Sequence, residues 1–336
     1  MRLRRRQGFV LLAALWLLVA ISAVMLGASL ESRSRRQVVA NTLDRTRARA
    51  AASAGTEYAR SRLSAALVGR ADEYTGARSL RGLEQMRQVT MLSSPWWAPQ
   101  QLVETGRDFG ELDFDLQLQD LGALLDINLL EPDDLRRFFA NGLGVDYAVA
   151  DKLAQAIADW RDEDDIPRVG GAERDDYIRA GAMRLPTNRP FGDVEELRYV
   201  LGMTPELFEA ARPYLIASGL VNRINVNAAP APVLLSLPGF TPAAVDALIS
   251  ARERGQIPVN VNELLALLPL DEGERQALRQ ELQQRVIFLS LFVLVDAVGG
   301  VEGSAVRARQ RTIVGNGFFF GQRQGEALEV MRFGGS

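Results

Sequence analysis

The 336-residue chain contains no cysteine and no histidine, and its only lysine is Lys152. These absences exclude thiol nucleophiles, disulfide bonds, Ser-His-Asp triads and zinc sites built on histidine or cysteine, and they leave almost no lysine chemistry. Carboxylates, hydroxyls and arginines remain. Glycosidase-type catalysis and the binding of hard metal ions are therefore the chemistries that the composition still allows.

A long uncharged run lies close to the start of the chain, at residues 9–30. Its length matches the roughly 20 residues that a membrane-spanning helix needs and exceeds the apolar core of about 7–15 residues of a secretory signal peptide. Arginines at residues 2–6 precede the run and predict a cytoplasmic N-terminus, although further arginines at 33–36 oppose that orientation. We predict a single membrane span, with the bulk of the chain in a periplasm.

Residues 31–69 predict a helix that continues out of the membrane. The segment is rich in alanine and arginine, contains no proline, and places apolar or small residues at helical spacing. The stripe expected to pack on a globular domain consists of Val39, Leu43, Ala50, Tyr58 and Leu63. The alternative is an arginine-rich helix that binds lipid head groups.

Strand signals occur in two distant regions. Residues 111–128 begin with alternation, in which Leu112, Phe114, Leu116 and Leu118 face one way, as in a strand with one buried face. Residues 285–298 and 301–314 predict two further strands joined by a turn at Gly299 and Gly300, and residues 327–333 predict a last one. Residues 70–110, which include Trp96 and Trp97, give no assignment. The fold predicted is α+β, an antiparallel sheet on a long helix with a large helical insertion.

The insertion contains weak internal similarity among residues 143–162, 201–215 and 237–255. Thr204 and Thr241 are predicted N-caps, each followed by proline at the first helical position. The third segment resembles a helix-hairpin-helix element, which binds DNA phosphates. Residues 111–220, however, hold 23 acidic and 11 basic residues, and a phosphate-binding surface should carry the opposite charge. We therefore predict no binding of nucleic acid.

The segment DWRDEDDIPRVGGAERDDY, residues 159–177, concentrates acidic side chains in one loop. Counted from Asp162, acids occupy position 3 (Asp164) and position 12 (Glu173), which is the spacing of a calcium loop that follows a helix. Pro167 replaces the glycine that an EF-hand requires at position 6, so the loop is not an EF-hand. Hard oxygen ligands favour Ca²⁺ over transition metals. The alternatives are a solvated acidic loop and a catalytic carboxylate pair.

Three blocks resemble the large minor pseudopilin of bacterial type II secretion, the general secretion pathway protein K family. They are Gly8-Phe9 with the apolar run, the acidic segment 159–177 with TNRPFGDVEELRYVLGMTPELFEAARPYL (187–215), and INVNAAPAPVLLSLPGFTPAAVDALI (224–249). The resemblance implies cleavage between Gly8 and Phe9 by a prepilin peptidase, which also methylates the new N-terminus. It further implies an α-helical domain inserted into a pilin-like β domain and a calcium loop using Asp162, Asp164 and Glu173, with Asp165 and Asp176 as weaker candidates.

The resemblance also implies a position at the tip of a fibre. Pilin-like subunits usually have glutamate as the fifth mature residue, where this chain has Ala13. That glutamate would neutralise the ammonium of a neighbouring subunit in an apolar surround, where an unpaired charge is costly. The implied partners are minor pseudopilins I and J, with minor pseudopilin H and major pseudopilin G as further candidates. The implied role is structural and non-enzymatic, at the inner membrane.

The predicted organisation follows these features: a leader at 1–8, a transmembrane helix at 9–30, a stem helix with the first part of the β domain at 31–125, the inserted helical domain at 126–284, and closing strands at 285–336. Two other functions remain open at this point. One is a membrane-anchored periplasmic hydrolase that uses the acidic loop, and the other is an anchored DNA-uptake protein with helix-hairpin-helix units.

Overall fold

The fold begins with one long helix, α1 (Arg4–Val68), in the computed structural model, which describes residues 4–68, 104–109, 112–288, 290–316 and 327–333. Alanine and arginine dominate residues 31–68 and proline is absent, so nothing interrupts the helical hydrogen bonds. The predicted helix beyond residue 30 is therefore confirmed. Among the described residues, no helix combines the length and the apolar character required to cross a membrane. Trp96 and Trp97 lie outside the described residues.

The other α-helices of the described residues are short and lie in the middle of the chain. They are α2 (Pro132–Arg137), α3 (Tyr147–Arg161), α4 (Arg174–Arg179), α5 (Pro205–Ala211), α6 (Ala231–Leu234), α7 (Pro242–Glu253), α8 (Val261–Leu267) and α9 (Glu272–Arg285). The strands are β1 (Glu104–Phe109), β2 (Leu112–Asp120), β3 (Leu125–Asp126), β4 (Leu215–Ile216), β5 (Ile224–Asn225), β6 (Val286–Ile287), β7 (Phe292–Val301), β8 (Arg307–Asn316) and β9 (Ala327–Phe333). The chain thus combines helices with an antiparallel sheet.

The strands that flank the helical region form one antiparallel sheet with the order β1-β2-β7-β8-β9. β2 and β7 pair along nearly their whole length, although the helical region separates them in sequence. In β2 the side chains of Phe114, Leu116 and Leu118 are buried, and those between them are more exposed. This period of two confirms the predicted strand. β9 confirms the predicted last strand, and β1 lies where the sequence gives no signal.

Small side chains of α1 make the contact with the sheet. Among the side chains of this helix that the structure describes, the buried ones are Ala48, Ala51, Ala52, Gly55, Thr56, Ala59 and Leu63. The predicted stripe is therefore confirmed at Leu63, while Tyr58 is half-buried and Ala50 is exposed. Val39 and Leu43 are 68% and 49% exposed, so the prediction that they pack on this domain is wrong. Alanines, rather than larger residues, form this contact because they let the helix backbone approach the strands closely.

Gly299 and Gly300 do not form the predicted hairpin turn. Both lie inside β7, paired with β8, and the chain reverses at the turn that contains Gly303, whose φ is 74°. Gly299 lies so close to α1 that a Cβ atom would overlap the backbone oxygen of Ala48 and the backbone nitrogen of Ala52. Gly299 thus serves close helix–sheet packing, and the predicted turn is wrong.

The helical region consists of two similar units, residues 125–216 and 224–287. Each unit opens with a two-residue strand that pairs in parallel with a strand at the unit's own end, β3 with β4 and β5 with β6. The second residue of each opening strand, Asp126 or Asn225, accepts a hydrogen bond from the amide two positions later. In their order between the paired strands, α2, α3 and α5 of the first unit correspond to α6, α7 and α9 of the second. The predicted N-caps Thr204 and Thr241 are confirmed, on α5 and α7.

A contact made by a half-buried arginine repeats in the same way. An arginine donates two hydrogen bonds to carbonyls that follow the opening strand, namely Arg161 to Ile127 and Leu130 in the first unit and Arg252 to Val226 and Ala229 in the second. An asparagine after each opening strand donates to a carbonyl further on, Asn128 to Phe191 and Asn227 to Pro258. In the second unit, only residues 253–257 separate the arginine from the residue whose carbonyl accepts from the asparagine. In the first unit, residues 162–190 separate them. The acidic loop is therefore an addition to the first unit alone.

A buried carboxylate joins the helical region to the sheet. Asp120, at the end of β2, accepts hydrogen bonds from Asn225 Nδ2 and Ser290 Oγ, each at 2.6 Å, and from the Gly122 amide at 2.9 Å. Burial raises the pKa of Asp120 to about 6, and the hydrogen bonds oppose that rise. Asn225 belongs to the second helical unit and Ser290 to the segment that returns to β7. The Asp120 side chain therefore connects the point where the chain leaves the sheet, at the end of β2, with the segment that leads back into it, before β7.

Candidate metal centre

Two of the predicted ligands, Asp162 and Glu173, meet a third carboxylate, Asp159. One oxygen from each of the three side chains lies within 4.8 Å of the others. Asp159 lies in the last turn of α3 and Asp162 follows its end, and a spacing of three places both on one side of a helix. Glu173 is the residue that precedes α4. Because calcium binds oxygen at about 2.3–2.6 Å, oxygens up to 4.8 Å apart are able to contact one ion.

Glu173 is a buried carboxylate of this group. It is 3% exposed, and no side chain among the described residues donates a hydrogen bond to its carboxylate oxygens, which lie near the backbone amides at the start of α4. Asp162 Oδ1 is also buried without a partner there. An ionised carboxylate in this position is costly. Burial, and then the negative charges of Asp159 and Asp162, raise the pKa of Glu173 to about 7.

Asp159 holds the loop in place. It is fully buried, its Oδ2 accepts from the amides of Arg168 at 3.2 Å and Ala172 at 2.9 Å, and its Oδ1 accepts from Arg168 Nη1 at 2.7 Å. Burial raises its pKa, and the hydrogen bonds from Arg168 oppose that rise. A Cβ atom on Gly171 would overlap Asp159 Oδ2, so this close approach requires glycine. Sequence reasoning missed Asp159, although its helical spacing from Asp162 was available as a signal.

The other predicted ligands have different contacts. Asp164 accepts from the Ile166 amide at 2.8 Å, and Asp165 accepts from Asn188 Nδ2 at 2.9 Å. Asp176 accepts from the Glu173 amide at 3.0 Å and pairs with Arg179 at 2.5 Å. None of the three belongs to the group formed by Asp159, Asp162 and Glu173. Their part in binding a cation stays a prediction.

The predicted processing residues lie in α1. Gly8 and Phe9 are both within the helix, and Ala13 is exposed one turn further along. Cleavage between Gly8 and Phe9, and the consequence of alanine at the fifth mature position, stay predictions.

The chain is similar to proteins of type II secretion systems. Two family models described as type II secretion system (T2SS), protein K match residues 126–219 and 224–284, so each model covers one of the two helical units. A type II secretion system protein K of Dickeya chrysanthemi is 31% identical over 156 residues, which is 42% of this chain and 40% of the relative. The match thus spans less than half of that relative's length. The protein K of Klebsiella pneumoniae is 29% identical over 239 residues, 66% of each chain.

The fold also has a solved counterpart. A chain in the GspK-GspI-GspJ complex of the type 2 secretion system of enterotoxigenic Escherichia coli is similar, with a TM-score of 0.52 and 18% sequence identity, over 78% of this chain and 96% of that chain. The predicted resemblance to the protein K family is therefore confirmed. Neither a hydrolase nor a DNA-uptake protein is found among these relatives.

Proposed function

Because residues 126–219 and 224–284 match family models of the type II secretion system protein K, we propose that the chain is a minor pseudopilin. It forms the tip of the periplasmic pseudopilus and has a structural, non-enzymatic role in the secretion of folded proteins. The observation that carries this proposal is the pair of family matches, which coincide with the two helical units. The lack of cysteine, histidine and all but one lysine is consistent with a role without catalysis.

The partners proposed are minor pseudopilins I and J, because the similar solved chain belongs to a complex of GspK with GspI and GspJ. The exposed face of α1 offers a surface for them. Val38, Val39 and Leu43 are 62%, 68% and 49% exposed, and they precede the first alanine that contacts the sheet. Exposed apolar side chains along a helix favour packing against another helix. Minor pseudopilin H and major pseudopilin G would contact the tip complex from below.

The interaction is tested by charged substitutions on this face. Val39→Glu and Leu43→Glu should each reduce the recovery of I and J with the tagged chain at least about tenfold, because each places an unpaired charge in a packed interface. Val149→Glu is a matched control, since Val149 is also a helical residue, 47% exposed, but lies in the insertion. Quantitative co-purification measures the effect. Crosslinking that finds the chain repeated along the fibre, as often as the major subunit, would contradict the tip position.

The N-terminal part of α1 is proposed as the inner-membrane anchor, with its N-terminus in the cytoplasm. The support is the uncharged run at 9–30 and the arginines before it. Large apolar side chains of this stretch are exposed, such as Leu15 at 61% and Trp16 at 67%, and an apolar surface of this kind is stable in lipid. Ala13 lacks the carboxylate that would neutralise a neighbour's amine, which suits a subunit at the end of the fibre.

Processing between Gly8 and Phe9 has a direct test. Gly8→Val should abolish cleavage by the prepilin peptidase, because the branched side chain occupies the space next to the scissile bond. The membrane fraction should then contain the full-length, unmethylated chain, while the unaltered protein begins with methylated Phe9. Mass spectrometry of the N-terminal peptide distinguishes the two. An unaltered protein that begins at Met1, or beyond residue 30, would refute the processing.

The acidic loop is proposed to bind Ca²⁺ through Asp162 and Glu173, with Asp159 beside them. The support is that both Glu173 oxygens and Asp162 Oδ1 are buried and that no described side chain donates a hydrogen bond to them, together with the spacing of the three carboxylates. The weaker candidates Asp164, Asp165 and Asp176 would complete the shell after local rearrangement. The ion would supply positive charge to a buried acidic group and so hold α3 and α4 together.

Calcium binding should raise the melting temperature of the full chain in detergent by several degrees when millimolar calcium replaces a chelator, because a ligand that binds only the folded state stabilises it. Asp162→Asn combined with Glu173→Gln should remove most of this difference. Asp175→Asn is the matched control, since Asp175 lies in the same acidic segment, is exposed and is outside the group. Because the pKa of Glu173 is about 7, calcium affinity should fall as the pH drops below 7 and protons compete. An unchanged melting temperature with calcium would reject the site.

A further inference from the structure

The Arg168 side chain contacts the group of three carboxylates from the solvent side. Its Nη1 atom donates to Asp159 Oδ1 at 2.7 Å and also contacts Asp162 Oδ2. The two carboxylates raise the pKa of the guanidinium. The side chain is 40% exposed, so it enters the group from the surface, in contrast to Asp159, which is fully buried. Arg168 belongs to the stretch that the second helical unit lacks, between α3 and α4.

The Nη1 atom takes the place where a bridging ion would bind. It lies within hydrogen-bond distance of oxygens from two of the three carboxylates, and a calcium ion shared by the same two oxygens would lie about 2.3–2.6 Å from each. A nitrogen atom and an ion cannot both fill that space. Glu173 is left without a side-chain partner among the described residues, because the guanidinium reaches only Asp159 and Asp162 among the three.

The charges support an exchange between the two occupants. When all three carboxylates are ionised they carry three negative charges, and one guanidinium neutralises only one of them. A divalent ion neutralises more and also contacts Glu173. The exposed side of Arg168 gives the guanidinium a path into water, and the hydrogen bond from the Arg168 amide to Asp159 Oδ2 at 3.2 Å keeps the loop attached when the side chain leaves.

We infer that Arg168 is a built-in competitor of the cation: its guanidinium occupies the site in the metal-free state and is released to solvent when the ion binds. This inference rests on the proposed calcium site and concerns its regulation. Arg168 sets the calcium concentration at which the loop fills, because each binding event has to displace it. Arg168 also favours divalent over monovalent ions, since a monovalent ion neutralises no more of the negative charge than the guanidinium that it replaces.

The first test compares calcium affinities of the full chain by isothermal titration. Arg168→Gln should bind calcium about tenfold more tightly than the unaltered protein, because the ion no longer has to displace a guanidinium that is hydrogen-bonded to two carboxylates, and the loss of one such bond to a charged group corresponds to about tenfold. Arg168→Lys keeps the charge and should stay within about threefold of the unaltered affinity. Arg174→Gln is the matched control for net charge. Arg174 is exposed and, among the described residues, forms no ion pair with the three carboxylates.

The second test needs no variant. Modification by phenylglyoxal, an arginine-selective dicarbonyl, should be slow at Arg168 in chelator and several-fold faster in calcium, as read by peptide mass spectrometry. If the unaltered protein binds calcium but Arg168→Gln binds no more tightly, or if calcium protects Arg168, the competition is refuted while the calcium site stands. If neither the protein nor Arg168→Gln binds calcium, the proposed site fails and the inference fails with it. Binding by Arg168→Gln alone would support the competition.

Discussion

Replacing Gly299 with alanine should lower the free energy of unfolding by about 3 kcal/mol or more, at the upper end of the effects of overpacking. The new Cβ atom would overlap the backbone of Ala48 and Ala52 and would lie 2.8 Å from Ala51 Cβ. Backbone atoms of a helix cannot rotate away as a side chain does, so α1 would have to separate from β7. Since α1 contacts β2, β7 and β8, the whole helix–sheet contact would be strained.

The neighbouring glycine provides the matched control. A Cβ atom on Gly300 would meet Arg307 Nη1 and Asp113 Oδ1, which are the ends of flexible side chains on the opposite face of the sheet. Gly300→Ala should therefore cost less than about 1 kcal/mol, the value of an exposed ion pair. Chemical denaturation of both variants, followed by circular dichroism, measures the difference. Equal losses for the two variants would show that the close approach of α1 does not limit stability.

Replacing Asp120 with alanine should cost about 3–5 kcal/mol, because it leaves several buried donors without an acceptor. These donors are Asn225 Nδ2, Ser290 Oγ and the Gly122 amide. Gln117→Ala, on an exposed position of the same strand, should change stability by less than about 0.5 kcal/mol. The loss should appear as earlier proteolysis of the helical region, since Asp120 joins that region to the sheet. Proteolysis unchanged from the original protein would count against the junction.

The pH dependence of Asp120 has a defined sign. Its pKa is about 6 in the folded protein and 3.8 as the ordinary value, so the folded state binds the proton more tightly than the unfolded state. Its contribution to stability is full below pH 3.8 and is lost as the pH rises through 6. Asp120→Asn removes this titration. The difference in stability between the original protein and Asp120→Asn should change between about pH 4 and 6 and be flat above pH 7.

Local patterns by themselves determined several elements. The alternation of Phe114, Leu116 and Leu118 predicts β2, because the period of two follows from strand geometry without reference to the rest of the fold. Thr204 and Thr241, each followed by proline, predict two helix starts, because capping involves only neighbouring residues. The acidic spacing likewise predicts that Asp162 and Glu173 belong together. Whether calcium binds there stays a prediction.

Tertiary structure alone decided the features in which distant segments meet. Gly299 and Gly300 are equally suited to a turn and to close packing, and only the approach of α1 to β7 selects the second. The same approach selects alanines rather than Val39 and Leu43 as the buried face of the helix. Asp159 enters the acidic group because α3 buries it beneath the loop that carries Arg168, a contact between segments. Sequence patterns indicate local geometry, whereas these three features depend on which distant segments of the backbone pack against each other.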